Sequence, residues 1–363
     1  MTFILNIAAC TCHGDWPATW RSFLTGKPVL VNTGSLAGQG AVAIPVAAVA
    51  NLDRVLSADA TGPTVRLART VADALGAPRN AAWYIGSNHG EAELVRALMR
   101  EPTKPEAQAV LYDEILPLDG ARAFRLYSAC ASGLSVLAAA VFDLDDGLHD
   151  DAAVLAVDAL SAIETIGFAR SGALSGDRAW PFLSSRAGLT IGEGAVAVRL
   201  SRAAAGASAK VLGIGLGCDA HHPTDPHPDG RGTGLAIQAA LTQAGLAPLD
   251  VAAIVAHGTG TSKGDEAELR TIMNVWCGDP PPVTSVKGCT GHLMGAAGLL
   301  NLAVALESSR TGLLPPINSA GAGGGIAPCV VVDNPMRIAP GAPVLAIASG
   351  FGGNTVAVLL AAR

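Results

Sequence analysis

The stretch Ser128-Ala-Cys-Ala-Ser-Gly-Leu-Ser-Val-Leu-Ala-Ala139 closes an apolar strand and opens an apolar helix. Small residues fill the turn, and Cys130 is the reactive side chain within it. A second stretch, Gly288-Cys-Thr-Gly-His-Leu-Met-Gly-Ala-Ala-Gly298, opens a helix in the same way. Laying Cys130 over Cys289 keeps small residues at both turns and an Ala/Leu-rich helix behind each. The match predicts two related halves around one site, residues 1–200 carrying the cysteine and residues 201–363 carrying His257, His292 and Lys287.

Outward from these turns, strand-length apolar runs alternate with helical ones. The runs are Phe3 to Ala9, Ala81 to Ile85, Ala152 to Val157, Ala195 to Leu200, Val251 to Ala256, Val330 to Val332 and Val344 to Ala348. Helical stretches lie at Val65 to Leu75, Leu134 to Leu144, Leu235 to Ala244 and Leu293 to Glu307. Such alternation argues for an α/β fold with buried sheets. Pro- and Gly-rich stretches at Pro223 to Gly234 and Gly321 to Pro328 read as surface loops.

Composition narrows the function. The chain has 363 residues, 50% hydrophobic and only 15% charged, against about 25% charged in a typical domain. It can bury a large core, which excludes disorder as its main state, and part of its surface is expected to lie against a partner subunit. A net charge of −6 leaves no basic excess for a run of phosphates, so nucleic acid is not an expected partner. No run reaches the ~18 apolar residues of a membrane span, and the best, Ala41 to Ala50, contains Pro45. Met1 to Ile7 lacks a basic start and reads as a first strand rather than a signal peptide. Seven cysteines without metal-type pairs make neither a disulfide framework nor a zinc site. A soluble, cytoplasmic, reduced protein is expected.

Three residues could do chemistry together. Cys130 at a helix start would feel the positive end of the dipole, which predicts a lowered thiol pKa and the fastest alkylation of the seven cysteines. His257, in Ala256-His-Gly-Thr-Gly-Thr261, ends a strand, where glycines present it to a cleft. His292 opens the second helix turn. A cysteine and two histidines, each just beyond a strand, form a constellation that can converge. By contrast, His221, His222 and His227 with Asp219, Asp225 and Asp229 match no metal spacing and read as a loop. Gly258-Thr-Gly-Thr-Ser-Lys-Gly264 lacks the Gly-Lys-Ser/Thr of a P-loop, and no GxGxxG opens a helix.

In order, the chain shows ACASG at Cys130, HGTGTxxxDxxE from His257 to Glu268, SxKxxxGHxxGAAG from Ser285 to Gly298, and GFGG from Gly350 to Gly353. Gly167-Phe-Ala, Arg186-x-Gly-x-x-x-Gly-Glu-Gly-Ala195, Thr224-x-Pro-x-Pro-Asp-Gly230 and Leu314-Pro-Pro-x-Asn318 accompany them. Together these resemble the decarboxylating β-ketoacyl-acyl carrier protein synthases, and the likeness covers the chain from about Ser128 onward. Before that it is loose, chiefly Trp20-Arg-Ser-Phe-Leu-Thr-Gly26.

The resemblance implies a thiolase-like fold, an αβαβα sandwich of two related halves. It implies that Cys130 accepts an acyl group from a carrier-protein thioester, and that His257 and His292 assist loss of CO2 from the malonyl thioester. The resulting carbanion then attacks the acyl-cysteine. Backbone N–H groups of Cys130 and Phe351 would form the oxyanion hole. Lys287, paired with Glu268, would orient the histidines. Phe168 and Phe351 would line and gate the pocket, and Thr224, Thr259 and Thr261 would bind the substrate and its phosphopantetheine arm. No metal and no cofactor is implied beyond that arm. The implied partners are an acyl carrier protein, with Arg66 and Arg69 as docking candidates, and a second subunit, identical or a related ketosynthase.

Departures from the family pattern are also present. The region before Cys130 is short, PFDxxRDG appears as Pro181-Phe-Leu-Ser-Ser-Arg-Ala-Gly188, Asn354 directly follows Gly353, and Ser262 stands where proline is common. The expectation is a synthase of a specialised fatty-acid or polyketide-type pathway. The rivals are a non-catalytic, chain-length-determining partner subunit, or an acyltransferase on the same fold. A thiolase would carry a second cysteine in a CxG setting, and Cys329 is not in one.

Overall fold

A computed structural model of the chain describes residues 1–26, 28–32, 45–53, 62–78, 81–91, 123–317 and 323–363. Asn318 of the Leu-Pro-Pro-x-Asn motif and positions 41–44 of the apolar run lie outside the described residues.

Ten strands carry the architecture. In the first half they are β1 (Phe3–Thr11), β2 (Ala82–Gly86), β3 (Ala123–Leu126), β4 (Asp151–Asp158) and β5 (Gly194–Ser201). The second half supplies β6 (Ala209–Cys218), β7 (Ala253–Val255), β8 (Val283–Thr284), β9 (Val344–Ser349) and β10 (Asn354–Ala362). The spatial order β1-β5-β4-β2-β3 recurs as β6-β10-β9-β7-β8. In each set the first two pairings are antiparallel and the last two parallel. The two sets join at one edge, where Phe3 and Ile4 of β1 pair with Lys210 and Ala209 of β6.

Helices fill the layers that these sheets leave. Helix α1 (Trp16–Thr25) starts on Asp15, whose carboxylate accepts the Ala18 N–H at 3.0 Å. Helix α2 (Pro63–Leu75) covers the outer face of the first sheet, burying Val65, Leu67, Ala68, Val71 and Leu75. Helix α3 (Ser132–Asp145) and the last helix, Ala297–Thr311, are apolar around most of their circumference, because they lie side by side between the two sheets. On the outer face of the second sheet lie α5 (Arg231–Ala244) and α6 (Ser262–Val275), with α4 (Ala162–Arg170) beside the site. With Ala297–Thr311 as α7, the layers run αβαβα.

Three of the ten strands, β6, β8 and β10, match none of the apolar runs, and β3 is foreseen only as the strand that closes at Ser128. In β6, Gly213, Gly215 and Gly217 look like breakers, yet a Cβ at Gly215 would sit 1.8 Å from the Ala236 carbonyl oxygen of α5. The glycines let the helix lie against the strand backbone. Helices α1, α4 and α6 were also unforeseen. Conversely, Val330 to Val332 forms isolated bridges to Val283 and Ile317, not a strand.

The internal match needs a new register. Ala129 (φ 48°) and Met294 (φ 47°) each lie in the left-handed region three residues before a helix start, at Ser132 and Ala297. This places Cys130 over Gly295 rather than over Cys289. Cys289 belongs to a separate helical turn, Lys287–Thr290, and its carbonyl lies 3.3 Å from His13 Nε2.

Candidate active site

Cys130 sits in the turn between β3 and α3. The Ala131 and Ser132 N–H groups donate to the Ser128 and Ala129 carbonyls at 3.1 Å each, and Ser132 Oγ accepts the Ser128 N–H at 2.8 Å. The loop after β9 crosses this turn closely. A Cβ on Gly350 would lie 2.8 Å from the Ser128 oxygen and 3.2 Å from the Cys130 nitrogen, so only glycine fits. This brings the chain at Phe351 next to the cysteine turn.

His257 follows β7 directly. Its N–H donates to Glu268 Oε1 at 2.6 Å, and the Gly258 N–H donates to Glu268 Oε2 at 2.8 Å. Lys287 Nζ donates to the His257 carbonyl. The expected Lys287–Glu268 ion pair is therefore replaced by an indirect link, in which both groups grip the main chain of His257. One turn earlier on α6, and on the same face, buried Asp265 accepts the Phe182 N–H at 2.6 Å and those of Thr259 and Gly260 at 3.1 Å each. Ser285 Oγ donates to the Gly258 carbonyl at 2.8 Å. The His-Gly-Thr-Gly loop is thus fixed at nearly every residue.

His292 is held by backbone alone, its N–H on the Thr190 carbonyl at 2.7 Å and its carbonyl accepting from Gly192 at 3.0 Å. The His257 and His292 rings stand edge to face, centroids 5.3 Å apart at 79°. Both histidines are held neutral, well below their usual range, by burial first and then by Lys287. Burial also lowers Lys287 to about 8, against the opposing pull of the Glu268 carboxylate.

Cys130, His257 and His292 line one cavity of about 730 Å³. Phe168, Thr224, Thr259, Thr261, Glu268 and Phe351 share its lining, so the sequence-derived site residues converge there, with Lys287 behind them. The Phe168 and Phe351 rings meet at 5.7 Å between centroids. Thr259 and Thr261 join hydroxyl to hydroxyl at 2.8 Å. The loop histidines shape turns: His222 Nδ1 accepts the Thr224 and Asp225 N–H groups, and His227 Nδ1 accepts that of Asp229.

The expected depressed thiol pKa is overturned. Burial pushes Cys130 up to about 12, Glu164 adds to the rise, and Lys287 only partly opposes it. Withdrawal of water outweighs the end of a helix dipole in a 5% exposed site. At rest Cys130 is a thiol, and it shares the cavity with two neutral imidazoles.

The sequence reading also omitted Asp265, Ser285, Asp158, His89 and Glu164 from the site. Asp265 was visible as the acid of HGTGTxxxDxxE. Asp158, His89 and Glu164 had no local signal.

This layering and this pocket define a thiolase-fold protein. The N- and C-terminal domain models of beta-ketoacyl synthase match residues 120–205 and 208–320. The mitochondrial 3-oxoacyl-[acyl-carrier-protein] synthase of Arabidopsis thaliana is 34% identical over 209 residues, 52% of this chain and 45% of that protein. The 3-oxoacyl-[acyl-carrier-protein] synthase 2 of Mycobacterium bovis is 34% identical over 248 residues, 64% of this chain and 59% of its own. Among solved structures, the ishigamide ketosynthase/chain length factor superposes with a TM-score of 0.85 at 26% identity, covering 100% of this chain and 99% of its own. A beta-ketoacyl synthase from Burkholderia phymatum gives 0.85 at 21%, with the same coverage. The chain belongs to the β-ketoacyl synthase family. The matched stretch spans about half the length of these curated relatives.

Proposed function

We propose that the protein is a β-ketoacyl synthase that condenses an acyl group carried on Cys130 with a malonyl thioester, with loss of CO2. The convergence of Cys130, His257 and His292 on one cavity carries this reading. In the first half-reaction the Cys130 sulfur attacks an acyl-phosphopantetheine thioester. Its proton passes to a neutral histidine, which returns it to the departing pantetheine sulfur, so a thiol leaves and the imidazole is neutral again. In the second, the malonyl C–C bond to the carboxylate breaks, and its electron pair becomes an enolate whose oxygen takes hydrogen bonds from the two imidazoles. The enolate carbon then bonds to the acyl carbon and the Cys130 C–S bond breaks. N–H groups at Cys130 and Phe351 would hold the oxyanion, a term of about 3 kcal/mol per donor. Lys287 and Glu268 fix the position of His257 through its main chain, so their cost on removal is orientation rather than proton transfer. No bound cofactor is required beyond the phosphopantetheine arm, for which Thr224, Thr259 and Thr261 are the candidate contacts.

The expected partners are an acyl carrier protein and a second subunit. Arg66 and Arg69 on α2 are docking candidates, Arg66 being also tied to Asp53 at 2.9 and 3.5 Å. For the subunit, β3 is the edge strand of its sheet among the described residues and exposes Phe124, with exposed Tyr127 just beyond its end, which suits a homodimer or a pairing with a related ketosynthase. Retention of the cysteine and both histidines in one pocket favours the catalytic reading over a chain-length-determining partner subunit and over a simple acyltransferase. Among the described residues no helix is long and apolar enough to cross a membrane.

Intact-mass analysis with acyl- and malonyl-carrier proteins tests the proposal. His257→Ala or His292→Ala should still acylate Cys130 while CO2 release falls by about 100-fold or more. Wild-type CO2 release in both variants, or no acyl adduct on Cys130 in the wild type, refutes it.

A further inference from the structure

The mechanism above leaves one buried charged cluster unused. Glu164 lies one turn before Phe168 on α4, and both line the cavity with Cys130. Its Oε1 is held by Asn88 Nδ2 at 2.8 Å and by His89 Nε2 at 3.0 Å. Behind it, Asp158 accepts Ser87 Oγ at 2.5 Å, the Asn88 N–H at 2.8 Å and the Gly295 N–H at 2.6 Å. The two carboxylates raise His89 to about 10 against the effect of burial, so it is cationic at neutral pH. One cation thus faces two acids. Glu164 is 7% exposed, and its second oxygen carries no protein hydrogen bond among the described residues. Asn88 and His89 therefore fix one oxygen and leave the other free in a cavity whose lining includes the apolar Phe168, Leu189 and Ala173.

A plain alkyl chain packed against that oxygen strips its water and offers nothing in return. A hydroxyl on the chain replaces the lost bond. We propose that Glu164 is a specificity-determining residue, accepting a hydrogen bond from a hydroxyl near the thioester of the acyl group on Cys130. Hydroxylated acyl groups would then be the preferred substrates, ahead of saturated alkyl ones. The inference rests on Cys130 being the acyl acceptor.

The test compares rates of Cys130 acylation, by intact mass, from 3-hydroxyacyl- and saturated acyl-pantetheine thioesters of equal chain length. Wild type should favour the hydroxylated thioester by about tenfold or more. Glu164→Gln should shrink that ratio and Glu164→Leu should reverse it. Taking the ratio cancels any common change in thiol reactivity that follows from removing the charge. A wild-type ratio near one overturns the inference without any variant, and so does an equal fall with both thioesters, which marks Glu164 as a brace for the fold. If neither thioester acylates Cys130, the acyl-acceptor reading itself has failed, a result separate from a lack of preference.

Discussion

Replacing Gly215 with alanine tests the tightest approach to a glycine among the described residues. A Cβ there would lie 1.8 Å from the Ala236 oxygen and 2.6 Å from the Ala240 nitrogen, both backbone atoms of α5. No rotamer change relieves such a contact, so α5 would have to retreat by about 1.2 Å to reach the shortest separation that a real Cβ tolerates. A Cβ at Gly213 or Gly217 would likewise lie 2.2 or 2.0 Å from a backbone oxygen of α5, so the helix rests on the strand along this whole stretch and its retreat cannot stay local. Overpacking of this kind costs typically 1–3 kcal/mol, and a clash with two backbone atoms of one helix belongs at the top, about 3 kcal/mol or more. Gly176→Ala is the control, because nothing lies within 4 Å of a Cβ there, and it should cost under about 0.5 kcal/mol. Urea denaturation followed by circular dichroism compares the two. Equal midpoints would show that α5 does not rest on β6, and the account of the glycine stripe would fall.

Two further outcomes are expected. The Asp265 carboxyl is raised by burial to about 7 from 3.8, so the native state keeps its proton to higher pH than the unfolded chain does, and stability falls as pH rises through that window. Between pH 5 and 8 the loss is about 3 kcal/mol. Asp265→Asn removes it, so the stability gap between wild type and variant should narrow as pH rises, and a gap independent of pH contradicts the assignment. With its thiol pushed up to about 12 and only 5% exposed, Cys130 should alkylate more slowly at pH 7.5 than exposed Cys218 and Cys277. Peptide mapping after brief iodoacetamide treatment that finds Cys130 labelled first would mean a resting thiolate.

The sequence by itself determined the alternating α/β class, the two-halved plan and the residues that converge on the cavity. Cys130, His257 and His292 each sit in a strand-to-turn segment whose glycines and small residues are local, so their presentation is written in a few neighbouring positions. Tertiary structure alone decided the rest. The register between halves follows from the left-handed residues Ala129 and Met294, which no pattern of side chains reveals. Strand β6 is legible only once α5 lies on its glycines. Lys287 reaches His257 rather than Glu268 because the main chain passes between them. The thiol of Cys130 is raised, and Glu164 is held against His89, because burial and charge are set by segments that are distant in sequence. Local patterns encode turns and periods, whereas desolvation and pairing exist only after the layers close.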